Sequence, residues 1–480
     1  MTWSIGLNLG ESVLEITAKR SKPDSTIMKR REHNKHAAKS NDDTQLIHSR
    51  TFSPASSFSS TISQFLKQNE ITKINEVRIV TNLVTKIIEA RHGSPAVMLT
   101  TIGFENWLDL NLPLEKDYFT FNPKKIGLPI AKELIFSISE RTNAEGAIEK
   151  IVSEEDLEFF VTKLELHNIK NVAICYLHST KNPENEKRTA HYLTSRGFNV
   201  FKSSDNIKSK NEISRFWNTL LAAYATPYFI ELLSPIYSIF QPLLSESAQI
   251  KIGNQDLKEL IECKTSCMAT AFSLTDFISN NFAKSTDLIY CGMEDFYFFE
   301  RSAPDINAWQ SPFGEVYTES KKFSTLFPQP LTELGKGFFA ELCFTQNKVS
   351  YDSGPMIFGR SLKPTFFDLL NYNESFENVL GLNSKINERG QKRFFETIFA
   401  LSKINQSKTN RDFDEIRKTL LLIAKEQLLS GCNNITSLEE VTLCGPLAPQ
   451  LRKIIGDKVV GGDFFVTNSL LLSNANESFL

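Results

Sequence analysis

The sequence lacks the motifs that usually announce a nucleotide site or a hydrolase. It has no GxxxxGK[ST] loop, no GxGxxG after a strand, no HExxH and no GxSxG. It also lacks a charge excess: the formal net charge is -2, so no global field draws it to nucleic acid or to an anionic membrane. Cysteine is sparse and scattered. The seven thiols (Cys175, Cys263, Cys267, Cys291, Cys343, Cys432, Cys444) are odd in number and form no CxxC, which argues against a disulfide framework or a zinc ribbon. Reduced thiols in a reducing compartment are the simplest expectation. Cys263 and Cys267 lie one helical turn apart, but without further His or Cys nearby they read as buried helix cysteines. No apolar run approaches the roughly 18 residues of a membrane span. "MTWSIGLNLG" has no basic stretch leading into an apolar one, so no secretory signal is expected and a cytoplasmic location is.

What is present is ordinary soluble composition, with 41% hydrophobic and 23% charged residues over 480 positions. That length predicts about two to four domains. Phe is frequent, at 37 residues, in keeping with large apolar cores.

Residues 3–9, "WSIGLNL", alternate with the period of a half-buried strand, and 13–19 read as its hairpin partner. The basic, apolar-poor segment 21–45 reads as a solvated loop or as an arm for an acidic partner. Helical spacing follows at 57–70, then a strand running into a helix that stops at Gly93 (77–93), and a buried strand at 95–104. Residues 153–169 open with Ser and acids, a good N-terminus for a helix. A strand (170–179), a helix (182–198) and a strand (199–204) complete an α/β alternation. A long helix is expected near 211–233. "DLIYCGMEDFYFFE" (287–300) repeats the opening hairpin pattern, 411–431 is an amphipathic helix, and 439–456 reads as strand, glycine turn, helix. Two similar α/β halves, each beginning with a hairpin, would account for this order.

Six segments, in order, carry a resemblance: "TKIIEARHGSPAVMLTTIGF" (85–104), "SERTNAEG" (139–146), "VAICYLHSTKNPENEKR" (172–188), "AAYATPY" (222–228), "DSGPMIFGRSLKPTFFD" (352–368) and "CGPLAPQL" (444–451). Together they resemble the hydantoinase A / 5-oxoprolinase / acetone carboxylase family. The resemblance implies an α/β fold of two actin-like (ribonuclease H-like) lobes, with mixed sheets flanked by helices around a central cleft. The expected division is 1–205 for the first lobe and 206–480 for the second. It further implies ATP, with magnesium, held between the lobes by two hairpins, because only backbone without a Cβ can approach a phosphate closely.

Against the family's first hairpin, D-x-G-G-T-x-T-D, this sequence has "NLGESVLE". Asn8 stands for the first Asp, Gly10 is kept, Glu11 replaces a Gly, Ser12 a Thr and Glu15 the last Asp. Asn8 offers a metal no charge, and Glu11 would set a like charge beside a phosphate. In the second hairpin, "YCGMEDFY" (290–297), Gly292 alone survives, while Tyr290, Met293, Glu294 and Tyr297 replace the Asp, Gly, Thr and Asp. Bulky Met and Tyr would fill phosphate space. The family's H-G-T-T is here "IVTN" (79–82), and its glycine-rich loop keeps Gly335 and Gly337.

By resemblance, Asn8, Gly10, Ser12, Gly292 and Gly445 are the nucleotide-side candidates, and His178, Asp352 and Asp368 the catalytic ones. Their plainer readings are a core or turn histidine and loop-capping aspartates. Gly354–Pro355 and Gly359–Arg360 read as turn geometry, with Arg360 in a surface ion pair or near an anionic substrate. No metal ligand set is assigned. The implied function is an ATP-dependent cyclic-amide hydrolase or related carboxylase subunit. The alternative is a divergent homologue with degraded phosphate loops, acting as scaffold or regulatory subunit with ATP binding weakened or lost. Implied partners are a catalytic or sister subunit or a second copy, and a small-molecule substrate if active. Nucleic acid and membrane are not expected.

Overall fold

The computed structural model describes residues 2–10, 13–21, 45–52, 55–108, 127–205, 212–282, 287–292, 295–300, 307–318, 323–326, 356–359, 364–371, 388–401, 413–419, 421–422, 426, 441–455 and 461–462. The first sheet opens with β1 (Thr2–Leu9), β2 (Val13–Ser21) and β3 (Gln45–Phe52), antiparallel in sequence order. Helix α1 (Phe58–Gln68) leads to β4 (Ile74–Thr81), parallel to β1, and then to α2 (Leu83–Glu89). Four strands form a separate parallel sheet, β5 (Ala96–Thr101), β6 (Ile135–Ile138), β9 (Asn171–Cys175) and β10 (Asn199–Lys202), in the order β10-β9-β5-β6. Between them lie the ribbon β7 (Arg141–Thr142) and β8 (Ile148–Lys150), and helices α3 (Glu154–Leu166) and α4 (Glu184–Thr194).

The chain returns through α5 (Glu212–Phe240) to β11 (Leu244–Ile252), which pairs parallel with β4 and closes the first sheet, with β12 (Gln255–Asp256) at its edge. The first sheet therefore reaches past residue 205, the division expected from the sequence. Helices α6 (Leu257–Ile261) and α7 (Ser273–Phe282) lead to the third sheet.

That sheet starts with the hairpin β13 (Leu288–Cys291) and β14 (Phe296–Phe299), followed by a ribbon of β15 (Asn307–Ser311) and β16 (Gly314–Thr318) and by β17 (Phe323–Leu326). After α8 (Phe366–Asn371) and α9 (Glu388–Leu401) come β18 (Thr442–Cys444), α10 (Ala448–Ile455) and β19 (Gly461–Gly462). Its order is β17-β14-β13-β18-β19, with the first three strands antiparallel and the last two parallel. The first sheet has the same plan, β3-β2-β1-β4-β11. Two lobes of one topology, each begun by a hairpin, are thus present, with the four-stranded parallel sheet inserted between β4 and β11 of the first.

The local reasons are familiar. Ser153 caps α3 by accepting from the Asp156 N–H at 3.1 Å, and Glu154, Glu155 and Asp156 face the positive end of its dipole. Helix α2 stops at Glu89, earlier than Gly93, because Arg91 turns to φ 57°. Helix α5 runs beyond 233, through Pro227 and Pro235, because Phe229, Leu233, Ile236 and Phe240 are buried against the first core. Loss of two N–H donors is outweighed by that burial. The described residues at 413–419, 421–422 and 426 are helical. The segment 22–44, most of the predicted loop, lies outside the described residues.

A small third core joins the lobes. Val80 of β4 packs with Leu274 and Ile278 of α7 and with Leu288, Tyr290, Tyr297, Phe299 and Cys444 of the second lobe. This seam positions the site.

Candidate functional site

Strand register builds the first wall of the cleft. Asn8, Glu15 and Arg50 are direct partners across β1, β2 and β3, so their side chains share one face. Arg50 Nε donates to Glu15 Oε1 at 2.6 Å, with both side chains almost wholly buried. Asn8 Nδ2 donates to Glu15 Oε2 at 3.2 Å. Both carboxylate oxygens of Glu15 thus have internal partners.

The second hairpin supplies the opposite wall. Tyr290 and Tyr297 are cross-strand partners, with stacked rings 6.3 Å apart and 16° between planes. Both are buried, and desolvation pushes both phenols well above their ordinary pKa, so they stay neutral. Asp295, in the turn, receives Lys86 Nζ at 2.6 Å on one oxygen. Its other oxygen receives Asn82 Nδ2 at 2.7 Å and the Tyr297 hydroxyl at 3.0 Å. Lys86 and Asn82 belong to the first lobe and Asp295 to the second.

Asn82 can reach across because the turn before α2 is satisfied by its neighbours. The Thr81 hydroxyl donates to the Leu9 carbonyl at 2.6 Å and accepts from Leu83 N–H at 3.0 Å. The Asn82 carbonyl accepts from the Thr85 hydroxyl at 2.7 Å. Ser273 bonds both backbone groups of Thr81, fixing α7 to the end of β4.

The cleft between these walls is lined by Asn8, Gly10, Glu15, Asn82, Tyr290, Gly292 and Asp295, and leaves a free volume of about 30 Å³. That is room for about two waters. Asn8, Gly10 and Gly292 are therefore brought together in this cleft. Gly445, at φ +102°, abuts the same place: a Cβ there would lie 3.0 Å from Tyr290 Cε2 and 2.8 Å from the Cys291 carbonyl oxygen.

The other candidates lie elsewhere. Asp368 is fully buried and accepts from the N–H groups of Met356, Ile357 and Thr365 and from the Thr365 hydroxyl. Burial pushes its carboxyl up to about 6 despite those donors. It organises its own loop. His178 follows β9 at φ 53°; its N–H donates to Glu212 Oε1 at 2.7 Å, and its Nδ1 is 3.5 Å from the same oxygen. Glu11, Ser12, Met293, Glu294, Gly335, Gly337, Asp352, Gly354, Pro355 and Arg360 lie outside the described residues.

A second polar cluster sits at the carboxyl ends of the parallel strands. Glu140 accepts from the Thr101 hydroxyl and, at 2.8 Å, from Asn185 Nδ2. Glu186 accepts from Tyr176 N–H at 3.1 Å, the Ser203 hydroxyl at 2.7 Å and Ser204 N–H at 2.9 Å. Desolvation pushes both carboxyls up, and the charge of Glu186 adds to the effect on Glu140. Sequence reasoning quoted these residues within matched segments without assigning them a role. Arg50, Lys86, Asn82 and Asp295 were missed as site residues. Neither Arg50, in "QLIHSRTF" (45–52), nor the pairing of Lys86 with Asp295 leaves a local signal.

Residues 31–197 match the family described as the hydantoinase/oxoprolinase N-terminal region. The chain is 28% identical over 166 residues to the uncharacterized protein MJ0964 of Methanocaldococcus jannaschii, covering 33% of this chain and 24% of that protein. It is 23% identical over 194 residues to 5-oxoprolinase of Saccharomyces cerevisiae, covering 35% and 15%. The matches thus span a quarter or less of those relatives. Two solved structures share the fold over 95% of this chain. One is the ATP-dependent caprolactamase from Pseudomonas jessenii (TM-score 0.60, 13% identity, 68% of that chain); the other is nucleotide-free acetone carboxylase (0.65, 14%, 67%).

Proposed function

We propose that this chain, whose residues 31–197 match the hydantoinase/oxoprolinase N-terminal region, does not hydrolyse ATP and serves as a scaffold or regulatory subunit. The observation that carries this reading is the pairing of the two carboxylates among the cleft's described residues. Glu15 is joined to Arg50, and Asp295 to Lys86, each at 2.6 Å. A magnesium nucleotide needs anionic or water ligands for its metal and glycine-lined space for its phosphates. Here the anions already have cationic partners from the chain itself, and Asn8 stands where the family has an Asp. The described residues therefore do not fit a magnesium nucleotide.

The runner-up is an ATP-dependent cyclic-amide hydrolase or carboxylase subunit. Its support is the family, the yeast 5-oxoprolinase match and the name of the caprolactamase neighbour. The experiment that separates them is phosphate release from Mg-ATP, with and without a lactam or hydantoin, for the chain alone and with any co-purifying subunit. No release above buffer is expected. Chain-dependent release that a lactam stimulates would overturn the scaffold reading.

A further inference from the structure

Of the three glycines kept on the nucleotide side, Gly10, Gly292 and Gly445, the last two suggest by themselves that something still approaches the backbone closely. The structure assigns that role to a side chain of the same molecule. A Cβ on Gly292 would lie 2.5 Å from the Asp295 carbonyl oxygen and 2.8 Å from Tyr290 Cε1, and one on Gly445 would lie 2.8 Å from the Cys291 carbonyl oxygen and 3.0 Å from Tyr290 Cε2. The two ring edges of Tyr290 therefore press on the two glycines. Real Cβ atoms essentially never come closer than about 3 Å to another heavy atom, so each glycine leaves room for a backbone carbonyl and for an edge of the ring together.

We infer that the chain carries a built-in occupant of its interlobe cleft: the Tyr290 ring, backed by Tyr297, fills the space between Gly292 and Gly445 in place of a phosphate group. This rests on the reading above that the cleft descends from a phosphate site. Three further features agree with it. Tyr290 and Tyr297 stand at the two positions of the hairpin where the family places aspartates, and both are buried in the core that joins the lobes. The Tyr297 hydroxyl is anchored to Asp295, which is itself held by the first lobe's Lys86. The space left beside the ring is small, about 30 Å³ or room for about two waters. The two glycines make room for the ring edges as well as for the two carbonyls, and the ring occupies the cleft without a ligand.

The test uses the full chain and two probes, Mg-ATP and inorganic phosphate. In the wild type, amide hydrogen exchange across 288–299 should already be slow and unchanged by millimolar Mg-ATP. A hairpin that exchanges freely and becomes protected when Mg-ATP is added would overturn the inference, and this measurement needs no variant. Equilibrium dialysis then compares the wild type with the Tyr290→Ala/Tyr297→Ala double variant, checked for a cooperative melt. Affinity for at least one probe should rise by at least about tenfold. A folded double variant that gains no affinity for either probe would also overturn it, while leaving the non-hydrolysing reading intact. Conversely, phosphate release by the wild type would end that reading, whichever way the dialysis falls.

Discussion

Lys86 of the first lobe and Asp295 of the second are separated by 209 residues in sequence and meet at 2.6 Å, flanked by Asn82 and Tyr297. Both side chains are largely shielded from water, so this contact acts as a clasp between the lobes. Asp295→Ala removes the acceptor of three donors. A hydrogen bond to a charged group contributes about 1.5–3 kcal/mol, and stranded donors add to the loss. A decrease of about 2–3 kcal/mol in urea unfolding is expected, and it should be strongly non-additive with Lys86→Met.

The Glu15–Arg50 pair obeys a harsher rule because both groups are buried. Removing one partner leaves an uncompensated charge and costs about 3–5 kcal/mol, whereas replacing both by apolar residues of similar size is often neutral. Arg50→Met should therefore unfold far more readily than Arg50→Met combined with Glu15→Leu. Equilibrium denaturation of the two variants and wild type checks the order.

Glu140, Glu186 and Asp368 all have carboxyls raised by burial. A raised carboxyl binds its proton more tightly in the folded chain than in the unfolded one. Between the unfolded value and the folded one, the folded state then holds more protons, so stability falls as pH rises. The favourable contribution is complete below the unfolded value of about 4 and is lost as pH rises through the folded values, which for Asp368 is about 6. Melting followed from pH 7 to pH 5 should show these groups favouring the acidic side. Glu140→Gln keeps one oxygen for Asn185 and an amide for the Thr101 hydroxyl. It should flatten the profile without loss of fold; an unchanged slope would count against the assignment.

Two glycines separate backbone strain from close approach. Gly197 has φ +81° with nothing within 4 Å of a prospective Cβ, while Gly445 has φ +102° with Tyr290 and the Cys291 carbonyl at 2.8–3.0 Å. Gly197→Ala should lose about 1–2 kcal/mol from the left-handed backbone alone. Gly445→Ala should lose that plus about 1–3 kcal/mol of overpacking. Thermal melts of the two single variants, with ΔΔG taken at Tm, test the difference.

Much of the first wall was legible because hairpins are local. Alternation in "WSIGLNL" and its return at 13–19 give the hairpin, and its strand register then sets Asn8 opposite Glu15. Arg50 was not legible. Its strand follows a basic segment, and a fully buried arginine inverts the usual pattern of apolar inside and polar outside. Strand β11 was missed for a similar reason. "LSESAQIKI" has the length of a strand but buries only Ile250 and Ile252, so its apolar signal is weak.

By itself, the sequence determined the hairpins, the repeated α/β plan, and the resemblance to a family together with the departures from its phosphate loops, since each depends on neighbours a few residues apart. The tertiary structure alone decided where the charges went. Glu15 is neutralised by a strand 35 residues on, and Asp295 by a helix of the other lobe. Such pairings depend on how sheets register and lobes close, which spacing along one chain does not encode.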